Sequence, residues 1–524
     1  MINLNQDPNQ DPNQDPNSNL ITDLFIIGGG INGCGIAYDA AGRGLSVRLC
    51  EMRDLASETS SYSSKLIHGG LRYLEYYEFR LVREALKERE VLLKIAPHLV
   101  HPLHILMPHD QHHRPAWMIK LGLFLYDHLN LSQTLPKSRT LKIYPDFPEE
   151  PLKHPVKIAF EYSDCTVDDA RLVLHLALGA QKKNAEILTH HRVEKIVRNV
   201  KLNRYEILVL NTETNTFTTF YSKAVINSSG PWVEDILKNK VTKDSEIHSQ
   251  HHVKLIKGSH LVIKKLYAGE QAYILQNSDN RIVFVIPYRK NFTLIGTTDL
   301  SYTGDPHEVK ISPEEVEYLI NITNQYFKSQ ITQEQIIWSY AGVRPLQSDE
   351  HDNPSKVTRD YTLEINDFEG TLPFLSVFGG KITTFRKLAE HALSKLKPYF
   401  ANFAMGPAWT NQEVLPGGDF SSFKSLVLNL LEKFNFLTPD EAHRIAYAYG
   451  TRAFEFLKDA QNLSDLGIYF GHGLTQAEVN FMIHSEFARS TEDILNRRSK
   501  LVLYFSEQET QNLQDYLDGR DGWI

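Results

Sequence analysis

Cysteine is scarce in this sequence: Cys34, Cys50 and Cys165 are its three thiols in 524 residues, and no two have CxxC spacing. An odd, scattered set builds neither a disulfide framework nor a cysteine-rich zinc site, so a reducing cytoplasm is the expected setting. Cys34 and Cys50 lack a neighbouring base and read as packing residues. Apolar runs of 18 residues are also missing, and the start lacks the basic, apolar and small-residue order of a signal peptide. No membrane-spanning helix is expected, although a peripheral contact needs only one apolar helix face. There is no basic excess either. With 56 Lys and Arg against 64 Asp and Glu the formal charge is −8, which argues against nucleic acid as a partner. HExxH is absent, and the adjacent pairs His112-His113, His190-His191 and His251-His252 diverge on regular elements, so no metal is expected.

What is present fits a large globular enzyme. Hydrophobic residues at 42% and charged residues at 23% allow a buried core, and the length predicts roughly two to four domains. Residues 1–19 are set apart, because Asn5 to Asn17 repeats Gln-Asp-Pro-Asn and offers too little apolar surface to offset ordering; a disordered tail is expected there. From Leu24 an apolar run leads to a glycine cluster, a helical stretch Ile31 to Arg43, and a second strand ending at Cys50. A helix is predicted over Phe79 to about Ile95, with Phe79, Val82, Leu86 and Leu93 on one face and Glu90 four before Lys94. A further helix follows Asp168-Asp169, and strands are expected at 186–188, 193–197, 205–210 and 224–227. The middle third, with 260–263, 281–287 and 292–296, reads as an antiparallel substrate sheet. Beyond Lys397, Pro407 and Pro416-Gly-Gly418 mark a connector to a polar helical region.

Gly28-Gly-Gly30-Ile31-Asn32-Gly33 satisfies GxGxxG directly after a strand and at the head of a helix. Gly28 permits the tight turn, Gly30 admits a pyrophosphate to the backbone, and Gly33 lets helix and strand approach. Glu51, eighteen positions past Gly33, ends the second strand where an acid can accept hydrogen bonds from a ribose. Together these predict dinucleotide binding, with the nicotinamide or flavin type still open. The segment Ser57 to Leu74 is dense in hydroxyls before Gly69-Gly70 and Arg72-Tyr73, as suits a loop lining an extended cofactor. Far downstream, Leu375 to Thr384 reads as strand, glycine turn and helix start, with Lys381 beside the positive helix end. Negative charge on a reduced flavin would be stabilised there.

These stretches, in this order, resemble the FAD-dependent, quinone-linked sn-glycerol-3-phosphate dehydrogenases of the D-amino-acid-oxidase-like flavoprotein superfamily. The motifs that carry the resemblance are Gly28 to Gly35 with Ala40 to Ser46, Ser63 to Leu74, Glu161 to Cys165 through Arg171, Lys257-Gly-Ser-His260, Ile295 to Asp299, Gly342 to Leu346, Thr358 to Tyr361 and Phe378 to Lys381. Ser464 to Gly467 and Arg497-Arg498 look like the family's C-terminal cap. Two departures are Asn227-Ser-Ser-Gly-Pro-Trp232, where relatives commonly carry Ala-Thr, and the repetitive tail.

The resemblance implies an α/β fold: a Rossmann-like FAD-binding domain of the glutathione-reductase/D-amino-acid-oxidase type, an antiparallel-sheet substrate domain and a helical C-terminal cap. The expected bounds are 20–397 for the oxidoreductase region, with a substrate insert at about 245–350, and 398–524 for the cap. FAD would be held by Gly28, Gly30, Ile31, Asn32, Gly33, Glu51, Ser63, Ser64, Lys65, Gly69, Gly70, Gly379, Gly380, Lys381, Ile382 and Thr383. A small phosphate ester with a secondary alcohol needs fixed cations at one end and a proton acceptor near the other. By similarity Arg72, Arg344, Arg359 and Lys381 recognise phosphate and hydroxyl, Tyr73 shapes the pocket, and His68 is the first choice as base. Asp299 is equally readable as an orienting or a turn-capping residue. The family passes electrons to membrane quinone from the cytoplasmic face, and Trp117, Leu121, Phe124 and Leu125, near Arg114 and Lys120, form one face of a helix that could sit in a headgroup layer. A homodimer stays open. So do a glycerol-3-phosphate oxidase using dioxygen, an amine or amino-acid oxidase on the same fold, and an idle FAD-stabilised scaffold.

Overall fold

The computed structural model describes residues 21–109, 115–130, 134–143, 151–153, 156–277, 281–348, 360–401 and 404–519. The repetitive tail, Arg114 and Arg359 lie outside them. Ile21–Ile27 is a central strand of an eight-stranded sheet, parallel to Val47–Cys50 on one side and Thr216–Asn227 on the other. Glu186–Leu188 and Thr371–Phe378 extend the parallel part, and Thr362–Phe368 runs antiparallel at its edge. Leu24, Phe25 and Ile26 are wholly buried because both faces of the sheet are covered, which is why this strand is an unbroken apolar run. The helix Ile31–Gly42 packs on the helices Asp169–Lys182 and Phe385–Leu396, and its Ala37, Ala40 and Ala41 allow the close approach. Asp168 caps the helix Asp169–Lys182, its carboxylate accepting from Arg171 N at 3.2 Å. Cys34, Cys50 and Cys165 are all buried thiols, and burial pushes the pKa of each up, so they are packing groups.

The second sheet has ten strands. Its spine is His252–Lys264, paired antiparallel with Ile336–Ser348 and with Phe292–Gly296. The sheet continues through Ile282–Tyr288 and Ala272–Gln276, then runs parallel to Val100–His109 and on to Ile158–Val167, Leu66–Ile67 and Arg139–Lys142. It is therefore not confined to the expected 245–350 insert. Val100–His109 carries Pro102 and Pro108, which mask a strand pattern. Ile158–Val167 buries Glu161, Ser163 and Asp164, whose polarity hides its depth. Arg89 resolves that conflict, donating to Ser163 O at 2.7 Å and to Asp164 at 2.9 Å.

Phe79–Ile95 is a helix, but its inward face is Leu81, Val82, Ala85, Leu86 and Leu92; Phe79 is exposed and Leu93 only half-buried. Glu90 does not reach for Lys94 but accepts from Arg89 and from Thr134. Residues 426–517 gather around a separate core that includes Leu430, Ala446, Leu474, Val479, Met482 and Leu513. Ser422, Thr438, Thr475 and Ser506 cap its helices. Buried ion pairs join this region to the rest: Arg171 with Glu486, Arg498 with Asp54 at 2.6 Å, and Lys500 with Asp168 at 3.7 Å.

At the same junction His98 and His175 are completely buried with ring centroids 4.8 Å apart, and His101 stacks on Tyr447. Burial holds the pKa of His98 and His175 well below 6.5 and that of His101 down to about 4. In the unfolded chain each titrates near the ordinary value of about 6.5, so below that pH the unfolded state binds more protons. Stability should be intact above about pH 6.5 and fall as pH drops toward 4, read as a lower urea midpoint at pH 5 than at pH 7.5. His101→Gln should reduce the difference; a midpoint constant across that interval would contradict the assignment.

Candidate functional site

A cavity of about 570 Å³ opens at the C-terminal ends of the parallel strands, where ligands bind in open α/β sheets. Gly28, Gly30, Ile31, Asn32, Glu51, Gly379 and Gly380 line it, as expected. Gly28 has φ +105°, and a Cβ on Gly33 would lie 1.9 Å from Gly28 O, so both positions exclude any side chain. Gly30 begins the helix without a side-chain cap, leaving first-turn N–H groups for an anion, while Ile31 N is taken by Ser60 Oγ at 3.0 Å. The Glu51 carboxylate accepts from Gly29 N at 2.7 Å and from Arg53 N at 2.9 Å. Burial raises its pKa, and the two backbone donors oppose that. Asn32 donates to Gly379 O at 3.1 Å, tying the two glycine turns together, while its Oδ1 is buried with no hydrogen-bond partner. An orphaned acceptor among side-chain-free backbone is what a cradle for a dinucleotide would present.

The hydroxyl-rich loop behaves differently from the expectation. Its Ser57, Thr59 and Ser60 line the cavity, whereas Ser63, Ser64 and Lys65 direct their side chains elsewhere. Ser63 Oγ donates to Asp169 at 2.7 Å, and the Lys65 ammonium is buried between Asp169, at 2.9 Å, and Ser61 O, at 2.7 Å. A buried lysine requires such a partner, and these contacts anchor the loop. Ser64 Oγ shares a hydrogen bond of 2.9 Å with His260 Nε2, and Thr59 Oγ1 donates to Val343 O at 2.7 Å. The loop is thereby stapled onto the second sheet. Gly69 N donates to Tyr126 Oη at 2.9 Å, and Gly70 takes φ +73° to start the short helix Leu71–Tyr76.

That helix brings Tyr73 under Lys381, whose Nζ lies 3.9 Å from the ring centroid, and Arg72 precedes it, half-buried. His68 N donates to Thr383 Oγ1 at 3.4 Å in the turn Ile382–Thr384 that follows Lys381. His68, Tyr73, Lys381 and Thr383, over 300 positions apart in part, thus converge beside Gly379-Gly380. Arg344 arrives from the second sheet, its neighbour Pro345 lining the cavity near Gly379. The guanidinium donates to Thr298 O at 3.1 Å and lies 3.4 Å from Asp299, which therefore orients a cation. Gly258 and Gly342 face each other between Arg344 and the His260–Tyr340 ring stack, leaving that face of the sheet low.

Sequence reasoning missed several of these groups. Ser60 was hidden in a run of hydroxyls. Trp232, stacked on His307 at 4.2 Å over the cavity, stood in a segment noted only as a departure. Lys257-Gly-Ser-His260 carries no local sign of a role for its histidine, whose pKa burial pushes well below 6.5. Nothing local marked Tyr126 and Asp164 as the groups that hold Gly69.

Comparison with known proteins places the class. Residues 23–385 match the family described as FAD dependent oxidoreductase, and 408–518 match the C-terminal domain of alpha-glycerophosphate oxidase. The chain belongs to the FAD-dependent oxidoreductase family, and its cofactor is FAD, with a cradle of fitting residues. Among its relatives, a glycerol-3-phosphate dehydrogenase of Pseudomonas aeruginosa is 50% identical, covering 95% of both chains. The aerobic glycerol-3-phosphate dehydrogenase of Escherichia coli is 48% identical over 94% of this chain and 97% of its own. A D-erythritol 1-phosphate dehydrogenase of Brucella abortus is 45% identical over 95% and 97%. Among solved structures, a glycerol-3-phosphate dehydrogenase from Bacillus halodurans complexed with FAD superposes with TM-score 0.72 at 26% identity, covering 95% of this chain and 94% of that one.

Gly33→Ala should drive a methyl into Gly28 O and yield protein purified with little flavin. The ratio of absorbance near 450 nm to that near 280 nm measures it; a fully yellow Gly33→Ala protein would contradict the close approach.

Proposed function

We propose that this protein oxidises sn-glycerol-3-phosphate to dihydroxyacetone phosphate and passes the electrons to a membrane quinone. The observation that carries the reading is the convergence of Lys381, Tyr73 and the His68 backbone just past Gly379 and Gly380, which line the cofactor cavity, while Arg344 comes from the other sheet next to the cavity-lining Pro345. FAD, when bound, supplies the acceptor for the hydride. Arg344, Lys381, Arg72 and Arg359 hold the phosphate and hydroxyl groups, Tyr73 bounds the pocket, and His68 takes the hydroxyl proton. Fixed cations keep the carbinol carbon in a reactive pose, so anchoring contributes as much as basicity. Residues 20–397 form the oxidoreductase region of this reading and 398–524 its helical cap. A second reading is favoured by the 45% identity to a D-erythritol 1-phosphate dehydrogenase: the same phosphate end with a longer polyol.

Peripheral attachment to the inner face of the cell membrane completes the reading. Among the described residues no helix is long and apolar enough to cross a membrane. The helix Ala116–Leu129 buries Ile119, Leu123 and Tyr126 and turns Trp117, Met118, Leu121 and Phe124 outward, with Trp117 64% exposed. Leu125 is half-buried, and exposed Tyr76 and Tyr77 lie in and beside the short helix that this one packs against. Such a face suits an interfacial layer.

Anaerobic mixing with sn-glycerol-3-phosphate should bleach the flavin faster than D-erythritol 1-phosphate, glycine or sarcosine does; faster bleaching by the erythritol ester would move the substrate to the second reading. Arg344→Gln should lower kcat/KM on the order of tenfold to a hundredfold, as expected when one hydrogen bond to a charged group is removed. Peroxide formed in air in place of quinone reduction would identify an oxidase. Trp117→Ser with Phe124→Ser should abolish flotation with phospholipid vesicles while bleaching persists.

A further inference from the structure

Between Glu51 and Ser60 the chain forms one wall of the cofactor cavity through Met52, Arg53, Ala56, Ser57 and Glu58. The inner side of this loop is fastened to the glycine turn: Ala56 N donates to Gly29 O at 3.1 Å, and Ser60 Oγ accepts from Ile31 N. Asp54 points the other way and is 1% exposed. Its carboxylate accepts from Arg497 Nε at 2.7 Å and from Arg498 Nη1 and Nη2 at 2.7 and 2.6 Å. Both arginines belong to the segment Asp493–Ser499 of the C-terminal region, more than 440 positions away. Arg498 is held in turn by Glu486 O, and Arg497 by Glu492 and Asp493. Beside this link a crevice of about 600 Å³, lined by Arg53, Glu58, Trp338, Glu492 and Asn496, parts the loop from that segment. The loop's outer side is thus reached from the C-terminal region through a fork of two guanidinium groups on one carboxylate.

We propose that Arg497 and Arg498 are positioning residues for the cofactor: they hold Asp54, and through it the Met52–Ser60 wall, in the form that retains FAD, so that docking of the C-terminal region and FAD binding are coupled. A buried pair is seldom the most stabilising way to join two surfaces, since apolar contacts do as well at lower desolvation cost. It does impose one geometry, because planar guanidinium forks accept a carboxylate in few orientations. Coupling of two equilibria is reciprocal, so FAD should also tighten the docking. The inference rests on FAD being the cofactor and is independent of the substrate, since every readout below omits substrate.

The experiment follows release of FAD from holoenzyme by the rise of flavin fluorescence on dilution, in wild type, Arg498→Gln, Arg498→Lys and Asp54→Asn. Asp54→Asn, which leaves the buried Arg498 without a carboxylate, should release FAD on the order of tenfold faster or more, and Arg498→Gln, which leaves Asp54 to Arg497 alone, should release it faster than wild type by a smaller factor. Arg498→Lys, which keeps the charge, should recover part of the difference and so provides a reading if the glutamine variant fails to fold. Hydrogen exchange in residues 493–499 of wild type should slow when FAD is added to apoprotein, and this slowing should vanish in Asp54→Asn. Wild-type release rates in Asp54→Asn, or exchange at 493–499 indifferent to FAD, would overturn the proposal and leave the pairs as docking contacts alone.

Discussion

Backbone must meet backbone without an intervening side chain where the first strand turns into the first helix, and the rest of the site depends on that contact. Gly33 against Gly28 O allows it, and the helix then starts at the cavity with its first-turn N–H groups directed to one place. A pyrophosphate held there lies at a defined depth in the sheet. Everything else contributed by remote segments, from Glu51 at one end to Gly379 and Gly380 at the other, is measured from that origin.

The second constraint is the crossing of the loop between Thr59 and Lys65 over the strand Ile336–Ser348. Thr59, Ser64 and the Ser63 carbonyl, the last accepting from Tyr340 Oη at 2.7 Å, fasten it at three points to the substrate sheet. Lys65 and Asp169 fasten it to the helix under the nucleotide sheet. Because these are short hydrogen bonds between fixed partners, the two sheets cannot slide independently, and Arg344 is carried to within a residue of the cavity wall. The C-terminal region adds its own ionic contacts to the same scaffold at Asp54, Asp168 and Arg171. At these three places buried ion pairs mark the seams between the parts of the protein.

Much of the nucleotide-binding unit was readable from the chain. Leu24 to Cys50 combines an apolar run, glycines at the required spacing and an acid at the strand end, all local signals set by backbone sterics. The cations were nameable through resemblance, but their placement was not. The Lys65 ammonium, expected at the cofactor, meets Asp169, which only the packed interior brings beside it. His260 was passed over because a histidine in a strand carries no local sign of its partner Ser64. The strand Ile158–Val167 was missed for the opposite reason: its polar residues look solvated until Arg89, Tyr126 and Arg139 are seen to satisfy them. The substrate sheet consequently draws on residues well before 245.

The sequence by itself determined the class of ligand and the first turn that receives it, because glycines, a short apolar run and helix starts act over a few residues. Tertiary structure alone decided which charged groups face the cavity, which join the sheets and which dock the C-terminal region. Arginine and lysine in isolation are equally suited to solvent, to a carboxylate or to a phosphate, and their choice is made only when burial removes water and leaves one partner within reach.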